Sequence, residues 1–217
     1  MTLIVLASNV LVQFPLAGTV GRLALGDLLT WGAFTYPFAF LVTDLTNRRF
    51  GPAAARRVVY AGFTVAVATS ILVPPVLFDR GLLPYAPELE RLARVAIASG
   101  TAFLVAQLLD VSVFNALRQG TWWRAPAFAS VAGSVVDTGL FFTLAFGSAF
   151  LFLGPNDGFA LEPTGLFGVM TAEAPRWVSW ALGDLAVKLV IAAFALIPYR
   201  LLMARLMPFR PAQIAGA

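Results

Sequence analysis

"WGAFTYPFAFLVTDLTNRRFG", residues 31–51, is an aromatic, apolar run that contains one acid, Asp44, and closes on Asn47, Arg48, Arg49 and Gly51. It is too long for a core strand, which typically has about 3–10 residues. A membrane helix explains both its length and its basic end. An aspartate inside such a helix is costly unless it faces the bundle interior or a wet cavity. Asp44 therefore needs a role, and the rest of the chain must supply its company.

The 217 residues are 59% hydrophobic and 12% charged, with a mean hydropathy of +0.84. Soluble domains sit near about 45–50% apolar and about 25% charged. The chain is therefore read as embedded in the lipid bilayer. Its length suits one domain, 1–217, an all-α polytopic helical bundle of about six transmembrane helices, each needing about 20 apolar residues. The apolar stretches fall at about 2–18, 28–46, 57–78, 92–115, 126–153 and 180–206. The first opens at Met1 without a basic region, unlike a cleaved signal peptide. At about 17 residues it rises about 25 Å, short of a hydrocarbon core of about 30 Å, so the helix is shallow or the true start lies upstream.

Cysteine and histidine are absent. That excludes disulfides, thiolate nucleophiles, Ser-His triads, histidine metal sites and histidine proton switches. No Walker-type phosphate loop occurs, so the chain itself does not hydrolyse ATP through one. We expect no cofactor, no metal and no catalytic constellation: the chain reads as a carrier rather than an enzyme.

Charge sorts the helix ends. Arg48, Arg49, Arg56 and Arg57 lie between the second and third stretches, Arg118 and Arg124 between the fourth and fifth, Arg205 and Arg210 after the sixth. None of these segments holds an acid. The opposite connections hold Asp79, Glu88, Glu90, Asp157, Glu162 and Glu173. Positive-inside bias then places both termini in the cytoplasm. The net charge of +4 belongs to this topology and implies no nucleic-acid partner.

Small residues recur at spacings of four: Gly62, Ala66 and Ser70; Ala98, Ala102 and Ala106; Ala125, Ala129 and Gly133. Each set lies on one helical face and lets backbones approach. No internal repeat is visible, so an inverted-repeat transporter is not indicated. The 154–179 connection is long for a bundle, and its "GLFGVM" is expected at the membrane surface or over a site.

Four aspartates fall within the stretches: Asp44, Asp110, Asp137 and Asp184. Helical spacing groups Phe103, Gln107, Asp110 and Phe114; Ser130, Ser134, Asp137 and Phe141; Trp177, Trp180, Asp184 and Lys188. By depth, Asp184 and Lys188 lie toward the outside, with Gln13, Trp31 and Thr35. Asp137 lies near the middle, and Asp44, Gln107 and Asp110 toward the cytoplasm. The candidate substrate-binding set is thus Asp137, Gln107, Asp110, Ser134, Asp184, Lys188, Trp31, Thr35 and Gln13, arranged as a ladder, with a coupling role for Asp44. Asp137 ranks first, because it is deep and lacks a basic residue one turn away. Asp184 and Lys188 can instead neutralise each other four residues apart, and Asp44 can pair with Arg48 at the interface.

The run "LTWGAFTYPFAFLVTDLTNRRFGPAAARRVV", with "SNVLVQFP", "RVAIASGTAFLVAQLLDVSVFNALR", "WWRAPAFASVAGSVVDTGLFFTLAF" and "DLAVKLVIAAFALIPY", resembles the queuosine-precursor transporter family, a branch of the vitamin-uptake-type transporters. The resemblance covers most of the chain, in order. It implies uptake of 7-deazaguanine precursors of the tRNA base queuosine (bases like preQ0 and preQ1) across the bacterial inner membrane. It also implies a six-helix fold similar to the substrate-binding subunits of energy-coupling-factor transporters, which leaves open a second role as such a subunit working with ATPase partners. The residue types suit a base as a small-molecule substrate. Carboxylates receive a guanine-like donor edge, amides meet its carbonyl, and aromatic rings stack on it. The oligomeric state is not encoded in these patterns.

The charge partition generates a test. Cysteines placed at Ala54 and Gly158 are expected to react with an impermeant thiol reagent from opposite sides of the membrane; labelling from one side would overturn the six-span topology.

Overall fold

A computed structural model describes residues 1–21, 23–84 and 86–206; Arg210, used above in the charge partition, lies outside them. The described residues form eight α-helices, α1 (Thr2–Leu11), α2 (Gly32–Thr35), α3 (Phe38–Phe50), α4 (Pro52–Asp79), α5 (Leu89–Leu117), α6 (Arg124–Phe146), α7 (Gly158–Leu161) and α8 (Arg176–Leu206). Two small antiparallel hairpins interrupt this all-α pattern, β1 (Thr19–Val20) with β2 (Leu23–Ala24), and β3 (Pro163–Gly165) with β4 (Glu173–Pro175). Four helices, α4, α5, α6 and α8, are long and apolar enough to cross a bilayer. The protein is therefore a multi-pass membrane bundle.

Three expected boundaries are revised. The 2–18 stretch is helical only to Leu11, about 15 Å at 1.5 Å per residue. Two tight turns follow, Gln13 N–H to Val10 O and Phe14 N–H to Leu11 O, ahead of Pro15, which disfavours helix at the residue before it. The 28–46 stretch starts its helix at Gly32, is interrupted at Tyr36 and Pro37, and runs on to Phe50. The 126–153 stretch ends its helix at Phe146, and 148–153 coil into a 3-10 turn.

Gly51 explains the sharp reversal between α3 and α4. Its φ of 84° and ψ of 174° suit glycine, and Pro52 opens α4 at the first position, where its missing N–H costs nothing. Arg48 and Arg49 occupy the last turn of α3, where cations complement the helix dipole.

The small-residue faces form the centre of the bundle. Ala98, Ala102 and Ala106 of α5 and Ala125 and Ala129 of α6 are all buried, and α5 and α6 form the most extensive helix pair. A Cβ on Gly133 would stand 2.5 Å from the Phe40 ring, so α3 seats its aromatic ring on that glycine. Of the most apolar windows, 44% of α5 and 39% of α6 are buried, against 17% of α4 and of α8. The outer faces of α4 and α8, including Leu72, Val76, Phe194 and Ile197, are exposed and apolar, as a lipid-facing surface must be.

The 154–179 connection is folded onto the start of α8. The Phe167 N–H bonds the Ser179 hydroxyl at 3.0 Å, and Trp180 Nε1 bonds the Asp27 carbonyl at 2.7 Å. Its "GLFGVM" forms the turn between β3 and β4, with Val169 and Met170 exposed. Arg94 of α5, 1% exposed, ties this end together by donating to the carbonyls of Leu144, Gly147 and Gly154 at 2.8–3.0 Å. Two of these acceptors belong to the last turn and exit of α6, where carbonyls lose their helical partners.

Replacing Arg94 with Met keeps the apolar stem but strands three buried acceptors, each worth about 1–3 kcal/mol when unmade. We expect a large drop in thermal stability in detergent, with Arg94→Lys recovering part of it; an unchanged melting transition would show that the clamp contributes nothing.

Candidate functional site

The polar side chains of α3, α5, α6 and α8 converge inside the bundle. Lys188 of α8, 4% exposed, is the only lysine in a chain whose other fourteen basic residues are arginines. Its ammonium donates to Asp137 Oδ2 at 2.7 Å, to Asp184 Oδ2 at 2.5 Å and to Thr138 Oγ1 at 3.2 Å. Three acceptors around one nitrogen match the three donors of an ammonium rather than the planar fork of a guanidinium. Tyr36 donates its hydroxyl to the other Asp137 oxygen at 2.9 Å, and Thr138 donates to Asp184 at 2.8 Å. Lys188 Nζ also lies 5.2 Å from the centre of the Tyr36 ring.

Below this knot a cavity opens between α3, α6 and α8. Lys188 lines it, with Ser134, Ser130, Asp44, Phe40 and Tyr199. Its free space is about 10 Å³, enough for one water.

Farther along, Thr43 donates to Gln107 Oε1 at 2.6 Å, and Asn47 Nδ2 donates to the Val111 carbonyl at 3.1 Å, pinning α3 to α5. Asp44 receives one long contact from Ser130, 3.4 Å. Arg48 turns away: Nε donates to the Tyr199 hydroxyl at 3.0 Å, one terminal nitrogen donates to the Arg118 carbonyl at 2.9 Å, and the guanidinium sits over Phe114.

Several expectations change accordingly. Asp137 is not unpaired, since its counterion is Lys188 of another helix. Asp184 and Lys188 do pair, four residues apart, but as part of a three-residue cluster. Asp137, Asp184 and Lys188 therefore form one knot rather than separate rungs, with Asp44 across the cavity. The pairing of Asp44 with Arg48 does not form among the described residues. The faces grouped by spacing differ in burial: Phe103, Gln107, Asp110 and Phe114 are each at most 1% exposed and Ser130, Ser134 and Asp137 are buried, whereas Phe141, Trp177, Trp180 and Asp184 are half-buried and of the third face Lys188 alone is buried.

Three candidates stand apart from the cluster. Trp31 is 48% exposed and pairs with Phe34. The Thr35 hydroxyl bonds the Gly32 carbonyl of its own helix. Gln13 lies beyond the end of α1, and the described bonds do not join it to the knot. In the other direction, Tyr36, Thr138 and Tyr199 were missed. Thr138 adjoins Asp137 and Tyr36 adjoins Pro37, but spacing along one helix singles out neither.

Comparison with known proteins bears on what such a bundle does. A family model described as "Putative vitamin uptake transporter" matches residues 30–203, most of the chain and all of the polar core. The chain belongs to this family. Among its relatives, the Escherichia coli (strain K12) "Queuosine precursor transporter" is 36% identical over 200 residues, 90% of this chain and 79% of the relative. The Haemophilus influenzae "Probable queuosine precursor transporter" is 42% identical over 154 residues, 66% of this chain and 65% of that protein. A Bacillus subtilis (strain 168) protein of the same description is 30% identical over 136 residues, 56% of this chain and 58% of that one. The resemblance drawn from residues 29–59 and their companions is thereby upheld. No solved structure matches the chain. The family is one of transporters, and the polar core described here sits inside its matched segment.

Lys188→Met would leave the Asp137 and Asp184 carboxylates buried without their cation, a loss worth about 3–5 kcal/mol for a broken buried pair. The variant is expected to unfold at markedly lower temperature in detergent, and adding Asp184→Asn should restore part of the loss. Equal stability of Lys188→Met and the parent would show that the knot is not the counterion arrangement described.

Proposed function

We propose that the chain is an uptake carrier for 7-deazaguanine-type queuosine precursors, working in the bacterial cytoplasmic membrane with six membrane passes and both termini inside. The passes would be α4, α5, α6 and α8, the proline-broken α2–α3 run, and the short α1. The arginine partition of the connections supports that orientation.

The observation that carries the substrate assignment is the Asp137–Lys188–Asp184 knot, whose Lys188 lines the cavity. A guanine-like base presents neighbouring N–H donors and a carbonyl acceptor. A carboxylate can take the donors in bidentate fashion, and an ammonium can give to the carbonyl. The knot holds two acids and one cation with Tyr36 and Thr138 as neutral donors, so it can exchange an internal bond for one to substrate without exposing a bare charge. Phe40 and Tyr36 offer ring faces beside it. Ser134 lines the same cavity. The names borne by the relatives point to the same class of solute.

Purified protein reconstituted alone in liposomes should take up a labelled 7-deazaguanine base. Asp137→Asn keeps the shape but removes a charged acceptor, worth about 1.5–3 kcal/mol, so uptake at limiting substrate should fall about tenfold or more with the protein still folded. Uptake only in the presence of ATP-hydrolysing partner proteins would overturn the stand-alone carrier; normal uptake by Asp137→Asn would overturn the site.

A further inference from the structure

Across the cavity from the knot, Asp44 and Asp110 pose a separate problem. Asp44 is 2% exposed and Asp110 is fully buried. Among the described residues, Asp44 Oδ1 and both carboxyl oxygens of Asp110 lack a hydrogen-bond donor. Thr43 and Asn47, on either side of Asp44 in α3, bond Gln107 and the Val111 carbonyl, on either side of Asp110 in α5, so the two acids lie at one contact between these helices. Two further buried amide atoms beside them, Asn47 Oδ1 and Gln107 Nε2, are also without partners. Both belong to the side chains that pin α3 to α5.

Neighbouring charges give these carboxyls no direct donor. Lys188 of α8 spends its three donors on the knot. Arg48 of α3 donates to Tyr199 of α8 and to the Arg118 carbonyl, its second terminal nitrogen has no partner among the described residues, and no ion pair joins it to Asp44 there. From α6, the Asp44 carboxyl receives the Ser130 hydroxyl at 3.4 Å. Arg56 and Arg57 of α4 are exposed, and α1 has no charged side chain. Two ionised carboxylates buried at this contact carry a severe desolvation penalty. Binding a proton on either carboxyl removes one charge and lifts that penalty. Among the described residues no three Asp, Glu, His or Cys side chains are grouped as metal ligands.

We infer that Asp44 and Asp110 are a proton-carrying pair, distinct from the base-binding knot, that couples base uptake to proton entry. The inference rests on the carrier role proposed above. Asp44 lines the cavity that Lys188 also lines, so base and proton meet in one space. One proton is accepted by the pair when the cavity faces outward, and the same proton leaves to the cytoplasm after the base. The stoichiometry is one proton per base.

The test uses purified full-length protein in liposomes, with the membrane potential clamped by potassium and valinomycin. An outside-acid gradient of about one pH unit should accumulate labelled base about tenfold for one proton per base. In Asp110→Asn and Asp44→Asn the accumulation ratio should fall to about one. Independently of any substrate, infrared difference spectra should show a protonated carboxylic-acid band in the parent that both variants lose. Equilibration of base without accumulation in the parent would overturn the coupling and leave the carrier role standing. Accumulation driven by a sodium gradient, or an infrared band unchanged in both variants, would overturn the pair. A failure of the parent to bind any base, with the carboxyl band present and lost in the variants, would sink the carrier role alone and support the pair.

Discussion

An ammonium group buried between two carboxylates organises the interior of this protein. Lys188 reaches from α8 to Asp137 on α6 and to Asp184 on its own helix, and Tyr36 before α3 holds the far oxygen of Asp137. Two helices, α6 and α8, are thereby tied at one nitrogen, and Tyr36 joins them through Asp137. An isolated charge at that depth would cost several kcal/mol, so none of the three groups can be removed alone without a penalty. The aliphatic surroundings strengthen the attraction because they screen it weakly. Placement of the aromatic wall at Tyr36 and Phe40 follows from the same tie.

Packing and polarity share the work between different helices. Alanine and glycine faces on α5 and α6 bring those backbones together and leave little room for polar groups on that side. The polar groups instead gather where α3 and α8 lean against α5 and α6. Phe40, seated on Gly133, separates that region from the alanine seam. The lipid-facing surfaces of α4 and α8 need only be apolar, and their side chains show no finer pattern than that.

Much of this was legible in the residues. Composition placed the chain in a membrane, and four of the expected stretches became long helices. Helical spacing correctly grouped Gln107 with Asp110 and Ser134 with Asp137, because residues three and four apart must share a face. The same logic could not find Lys188 as the partner of Asp137, since spacing reports neighbours on one helix and is blind to those on another. It misplaced Trp31 and Gln13 for a related reason. Hydropathy averages over Pro15 and Pro37, so it merged a ten-residue helix with the turn after it and hid the break at Tyr36. Arg94 went unremarked because a cation near a helix end is ordinarily solvated, whereas here three carbonyls enclose it.

The grip of Arg94 bears on how the bundle can move. By holding Leu144, Gly147 and Gly154, it fastens the exit of α6 to α5, so those two helices and the turn beyond them form one rigid block. A cavity with room for one water admits a larger solute only if a helix outside this block moves, and α8, which carries Lys188, lines it. Sliding α8 from the block parts Lys188 from Asp137 but cannot part it from Asp184, four residues away on the same rod. The cation then travels with its own counterion, as a latch that carries half of its lock. Opening breaks one ionic contact instead of two, and the rod returns already neutralised to the place where Asp137 waits.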